Sequence, residues 1–183
     1  MDLLTLIMGT LYLLLPGAVA NTMPILFKHS LKMLALPVDG GARLLGHRVF
    51  GSHKTWRGIL VGVAGGTLMA GVQGLLHGQG TLVSISLVDY SAMPVLIFGF
   101  LFSIGIMVGD LVESMIKRQV GKKPGQRWFP FDQIDSAIGG LIFILPMYQP
   151  PVAVIITGLV LSIILHVGFR HIGYYLGINK KRW

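Results

Sequence analysis

The chain alternates between long apolar runs and short polar stretches, and the runs are too continuous for half-buried soluble helices. A hydrocarbon core takes about 20 residues of helix to cross. Five stretches approach that length, at residues 3–27, 58–77, 91–116, 132–148 and 152–169. They predict an all-α integral membrane protein built as a single polytopic domain over residues 1–183. The fourth stretch is the shortest relative to what a crossing needs. Pro16 and Pro24 interrupt the first and predict kinks there. In the second, Gly58, Gly62, Gly66, Ala70 and Gly74 recur every fourth residue, a ridge that lets another helix approach closely.

Composition agrees with this pattern: 53% of the residues are hydrophobic and 12% charged, with a mean hydropathy of +0.73. The chain has no cysteine, which excludes disulfides, thiolate metal sites and a cysteine nucleophile. Lys and Arg outnumber Asp and Glu by 15 to 7, a ratio that in a soluble protein would suggest nucleic acid. Here every basic residue falls within 28–57, 117–131 or 170–183. Five spans, with the N-terminus outside and the C-terminus cytoplasmic, put all of them on one face, as the positive-inside rule expects. The loops 28–57 and 117–131 are then cytoplasmic and no nucleic-acid partner is needed.

Acidic residues are scarce, yet four of the seven, Asp110, Glu113, Asp132 and Asp135, lie within 26 positions. On a helix, Asp110, Glu113, Ser114 and Lys117 follow i, i+3, i+4, i+7 spacing and share one face. Pro130 suits a helix start, so Asp132 and Asp135, three apart, open the fourth span on one side. The short connection between the clusters lets them face each other. Magnesium is held by one or two carboxylates, waters and substrate phosphate oxygens. Phosphoryl-type transfer also needs cations and in-line positioning. The region offers Asp110, Asp132 and Asp135 for metal and Lys117, Arg118, Lys122, Lys123 and Arg127 for phosphate. The competing reading is that these acids merely pair with neighbouring basic side chains at the membrane surface.

A second candidate is the stretch from Arg43 to Gly58, where Lys54 and Arg57 flank the start of the second span and glycines allow close backbone approach to an anion. It is not a Walker A loop, because Ser52 and His53 separate Gly51 from Lys54. Asp39-Gly40-Gly41-Ala42-Arg43 begins like the CDP-alcohol phosphotransferase motif, but no acid occurs between Asp39 and Asp89, so the match fails. The six histidines show no metal-ligand spacing, and His53 is the one whose position invites a test.

Ser114-x-x-Lys117-Arg118 followed by Asp132-x-x-Asp135 resembles the signature of the CTP-dependent phosphatidate cytidylyltransferases, the CDP-diacylglycerol synthases. The short length and Gly51-x-x-Lys54-Thr55-Trp56-Arg57-Gly58 are closer to the archaeal branch, the CDP-archaeol synthases. The resemblance covers roughly residues 39–58 and 110–140. It departs from the bacterial signature after Arg118, where this chain has Lys122-Lys123-Pro124, and before the paired aspartates, where it has Trp128-Phe129-Pro130-Phe131. The resemblance implies an enzyme that joins CTP to a lipid phosphate, giving a CDP-lipid and pyrophosphate with Mg2+ required. For the archaeal branch the lipid is digeranylgeranylglyceryl phosphate and the product CDP-archaeol, formed in a cell membrane with the active site on the cytoplasmic face. It implies a catalytic set of Asp110, Asp132, Asp135 and Lys117. Asp110, Asp132 and Asp135, with Glu113 beside them, hold metal. Lys54, Thr55, Arg57, Ser114, Arg118, Lys122 and Lys123 hold phosphates or support them.

A reading from a different class is a small ion-coupled transporter or channel using the intramembrane carboxylates. It predicts acids spread through the membrane depth, whereas these group toward one face.

Overall fold

The computed structural model describes residues 2–124 and 126–175. Five helices follow the apolar pattern: α1 (Leu3–Leu26), α2 (Trp56–Gly78), α3 (Val95–Gln119), α4 (Phe131–Ile144) and α5 (Val152–Tyr175). Between α1 and α2 a small antiparallel hairpin joins β1 (Arg43–Leu44) to β2 (His47–Arg48). The basic tail with Lys180, Lys181 and Arg182 lies outside the described residues. Among those described, α1, α2, α3 and α5 are long and apolar enough to cross a membrane. Helix α4 has 14 residues, about 21 Å at 1.5 Å per residue, against about 30 Å of hydrocarbon. The expected fourth stretch is thus a short helix whose last turn gives way before Pro146. The third is displaced toward the C-terminus, because Pro94 cannot extend a helix backward and Tyr90–Ala92 forms a separate 3-10 turn.

Small residues set how the helices meet. The α2 ridge fits between α1 and α3: a Cβ on Gly62 would lie 2.8 Å from the Ala20 carbonyl oxygen, and one on Gly66 2.8 Å from that of Pro16. These contacts have a local cause. Proline lacks an N–H, so Pro16 and Pro24 leave the carbonyls of Tyr12 and Ala20, four residues earlier, without helical donors. Gln73, fully buried on α2, donates through Nε2 to the Tyr12 carbonyl at 2.6 Å and accepts from the Tyr90 hydroxyl at 3.1 Å. Ala20 instead has the bare backbone of Gly62 against it. The same logic joins α3 to α4, where the Gly109 backbone lies against the carbonyl of Asp135. That contact brings Asp135 beside Asp110. Phe98, Phe102, Leu13 and Ile144 fill the centre of the bundle with almost no exposure.

Candidate active site

The acidic residues gather where α3 and α4 leave the glycine contact, and basic residues reach them from three elements. Lys54 ends the loop before α2, whose first turn is capped by the Thr55 hydroxyl accepting from Gly58 N at 3.2 Å. Its ammonium donates to both carboxylate oxygens of Asp110, at 2.6 and 2.5 Å. Two helical turns further along α3, Lys117 donates to Asp132 Oδ1 at 2.8 Å, with its nitrogen 3.2 Å from Glu113 Oε1. Asp132 Oδ2 accepts from Trp128 N at 2.9 Å, which ties the loop before α4 to its first turn. Asp135 Oδ1 accepts from Ser136 N at 2.6 Å. Glu113, Ser114, Lys117 and Arg118 are all buried, a concentration of charge that membrane helices seldom carry.

Two cavities meet at this cluster. The larger, about 820 Å3, runs between α1, α2, α3, α4 and α5, past Pro24, Ile25, Ile59, Met107, Leu111 and Phe169. The smaller, about 300 Å3, is bordered by Phe50, Glu113, Ser114, Lys117, Arg118, Gln126 and Arg127. His53, Lys54, Asp110, Asp132, Asp135 and His166 border both. An apolar chamber and a cationic one therefore share a wall of carboxylates, lysine and histidine. Burial pushes the His53 imidazole pKa down, and the charges of Arg118, Lys54 and Arg48 push it further, which favours the neutral ring.

The predicted residues divide by location. Asp110, Asp132, Asp135, Lys54, Glu113, Ser114, Lys117 and Arg118 border one cavity or both, and Thr55 borders the larger. Arg57 donates instead to the Ser30 carbonyl at 3.0 Å. Lys122 stands over the Trp128 ring, 5.9 Å from its centroid. Lys123 contributes backbone rather than charge: its carbonyl accepts from Arg118 Nη2 at 3.2 Å. Arg57, Lys122 and Lys123 border neither cavity. His166, Phe50 and Gln133 border the site without any signal in the sequence, since His166 comes from α5, remote in the chain from both motifs. His53 was signalled by its position beside Lys54. Among the described residues no three acids or histidines converge into a ready-made metal cage. The carboxylates instead face lysines, as the competing reading expects, yet hard oxygen donors around a shared cavity are the donor set a divalent cation such as magnesium takes.

Comparison with known proteins places the chain in a family. The CarS-like family, described as CDP-archaeol synthase, matches residues 3–183. A CDP-archaeol synthase of Methanosphaerula palustris is 34% identical over 154 residues, covering 80% of this chain and 89% of the relative. That of Archaeoglobus fulgidus is 32% identical over 187 residues, covering 99% and 100%. A solved structure described as an intramembrane enzyme for archaeal membrane lipid biosynthesis superposes with a TM-score of 0.70 at 26% identity, covering 87% of this chain and 90% of that one. With near-complete coverage at this identity, and with the fold of an intramembrane enzyme, the chain belongs to the CarS-like CDP-archaeol synthase family.

Proposed function

We propose that this membrane enzyme transfers CMP from CTP to an isoprenoid ether-lipid phosphate, giving CDP-archaeol and pyrophosphate, with Mg2+ as cofactor and the site on the cytoplasmic face. The observation that carries the reading is the shared wall between an apolar and a cationic cavity. A lipid phosphate has to keep its chains among apolar helices while its head group meets a water-soluble nucleotide, and only such a seam allows both. The relatives' name, CDP-archaeol synthase, supports the same product.

In this reading the lipid chains lie in the larger cavity, along Ile25, Ile59 and Phe169, and the triphosphate in the smaller, against Lys117, Arg118 and Arg127. A phosphate-monoester oxygen of the lipid attacks the α-phosphorus of CTP. A new P–O bond forms, the bond from the α-phosphorus to the oxygen bridging to the β-phosphorus breaks, and pyrophosphate leaves with that oxygen. The nucleophile is already ionised, so no general base is required. Asp110, Asp132 and Asp135 would hold the magnesium, with Glu113 beside them. The bound metal supplies charge neutralisation for the crowded phosphates. Lys54 and Lys117 orient the carboxylates they bond, and stand ready to turn to phosphate oxygens. Arg118 borders the smaller cavity, where its guanidinium charge suits phosphate.

Purified protein supplied with labelled CTP, digeranylgeranylglyceryl phosphate and Mg2+ should form a labelled CDP-lipid and release pyrophosphate. Asp135→Asn should lower kcat by about 100-fold or more, the scale expected for losing electrostatic stabilisation of a transferring group. Turnover within a few-fold of wild type in that variant would remove Asp135 from the site, and absence of CDP-lipid with any divalent metal would overturn the reaction.

A further inference from the structure

Asp39 stands at the start of the first stretch of resemblance, twelve residues before Gly51, and borders neither cavity, yet it is the most heavily bonded carboxylate among the described residues. Oδ1 accepts from Gly41 N at 3.0 Å and from Arg48 Nη2. Oδ2 accepts from Arg48 Nε at 3.3 Å, Phe50 N at 3.1 Å and Gly51 N at 2.9 Å. Its side chain has no solvent exposure. Backbone amides thus converge on it from both sides of the hairpin.

Those amides belong to the stretch that delivers side chains to the seam. The run just before Asp39 pairs with the run before α2: Val38 N donates to the Lys54 carbonyl at 2.8 Å, and Trp56 N to that of Leu36 at 3.0 Å. Asp39 grips the other end of the same stretch at Phe50 and Gly51. The chain between these two anchors has little freedom, and it carries Phe50, His53 and Lys54 to the cavities. Gly51, at φ +94°, lies against the Arg118 side chain, with Arg118 Cδ 3.7 Å from where a Cβ would be. A Cβ there would sit in ordinary contact with Arg118, but the positive φ would strain any residue other than glycine and so disturb the stretch beside it.

We propose that Asp39 is a positioning residue for the transfer reaction, fixing the stretch 48–54 so that Phe50, His53, Lys54 and Arg118 frame the nucleotide side of the site. Arg48 is the strut of this clamp: held by Asp39 through its guanidinium, it also offers its carbonyl to Gln119 Nε2, 3.5 Å away at the end of α3. The inference rests on the reading of the smaller cavity as the triphosphate subsite. Phe50 and Arg118 border only that cavity, so disturbing the clamp acts on CTP before it acts on the lipid.

The test uses the full-length enzyme in lipid bilayers and compares Asp39→Ala with Asp39→Asn, which keeps the size and one acceptor. Displacing the stretch by about 1 Å should raise KM for CTP by about 10- to 100-fold while KM for the lipid phosphate stays within about threefold. Hydrogen exchange at the Phe50 and Gly51 amides should accelerate by at least about tenfold in both variants, with α2 and α3 unchanged. Asp39→Asn carries the test if Asp39→Ala does not fold. Unchanged exchange and unchanged KM for CTP would overturn the proposal. So would an equal rise in both KM values with a fall in thermal midpoint, which would mark general damage. Asp110→Asn in the same assay separates the two readings: if it stays fully active the site assignment fails, whereas if it is inactive and Asp39→Asn is normal only the clamp fails.

Discussion

A carboxylate placed against apolar helices is costly unless it is paired or bonded, and each acid near the site meets that condition differently. Asp110 takes Lys54, Asp132 takes Lys117 and a backbone amide, and Asp39 takes an arginine and three amides. For Asp39, burial alone would raise the carboxyl pKa, but the Arg48 guanidinium and the amides of Gly41, Gly51 and Phe50 outweigh it and hold it well below the usual carboxylate range. The folded value is below the unfolded one. Its contribution to stability is therefore complete above its ordinary pKa of about 4 and is lost as pH falls through the folded value. Thermal midpoints measured from neutral pH down to about pH 3 should fall more steeply below about pH 4 in the wild type than in Asp39→Asn, which has no proton to take up there. Parallel acid limbs would show that the clamp has no ionic part. The shared face of Asp110, Glu113, Ser114 and Lys117 was legible from spacing alone, because one helix carries all four. The motif beginning at Asp39 fails by the same local logic, which says nothing of the fold around that residue: its partners Phe50 and Gly51 are brought to it by a turn.

At the scale of the helices, Pro16 and Gln73 form one device built from two elements. The proline frees the Tyr12 carbonyl and the glutamine satisfies it, while Tyr90 completes the bond on the other side. Gln73→Leu strands a buried carbonyl and a buried hydroxyl, and should cost about 1–3 kcal/mol of stability. In Pro16→Ala the backbone N–H returns and can donate to Tyr12, so Gln73→Leu should cost less on that background. A double-mutant cycle on thermal or denaturant unfolding in detergent reads the difference. Equal costs on both backgrounds would show that Gln73 is not answering the proline. The kinks and the glycine ridge were visible in the sequence, since both follow from single residues at fixed spacing. What the ridge faces was not, nor that α4 stops at Ile144, because a hydropathy window sums residues and does not see where backbone hydrogen bonds end.

For the whole molecule, orientation is the expectation with the widest consequences. The lack of native cysteine makes it directly measurable. With the N-terminus outside, the short α4 and the following link up to Pro151 together return the chain to the far face, so that α5 brings the C-terminus back to the basic side. Ser84→Cys, in the connection before α3, should then react with a membrane-impermeant maleimide in intact cells. Lys32→Cys and Lys123→Cys should react only after permeabilisation. The reverse pattern would place the site outside and remove CTP as its substrate. Much of this architecture was written in the order of residues: the all-helical membrane class, and the shared face of Asp110, Glu113, Ser114 and Lys117 on one helix. These are local properties, set by periodicity, proline and charge within a few turns. The tertiary structure alone decided that Lys54 reaches Asp110 across 56 positions, that His166 joins both cavities, that Arg57 and Lys122 find partners elsewhere, and that Lys123 meets Arg118 through its carbonyl. Those outcomes depend on how closely glycine-bearing helices pack and on where a loop is tied down, and neither distance is encoded in the spacing of one segment.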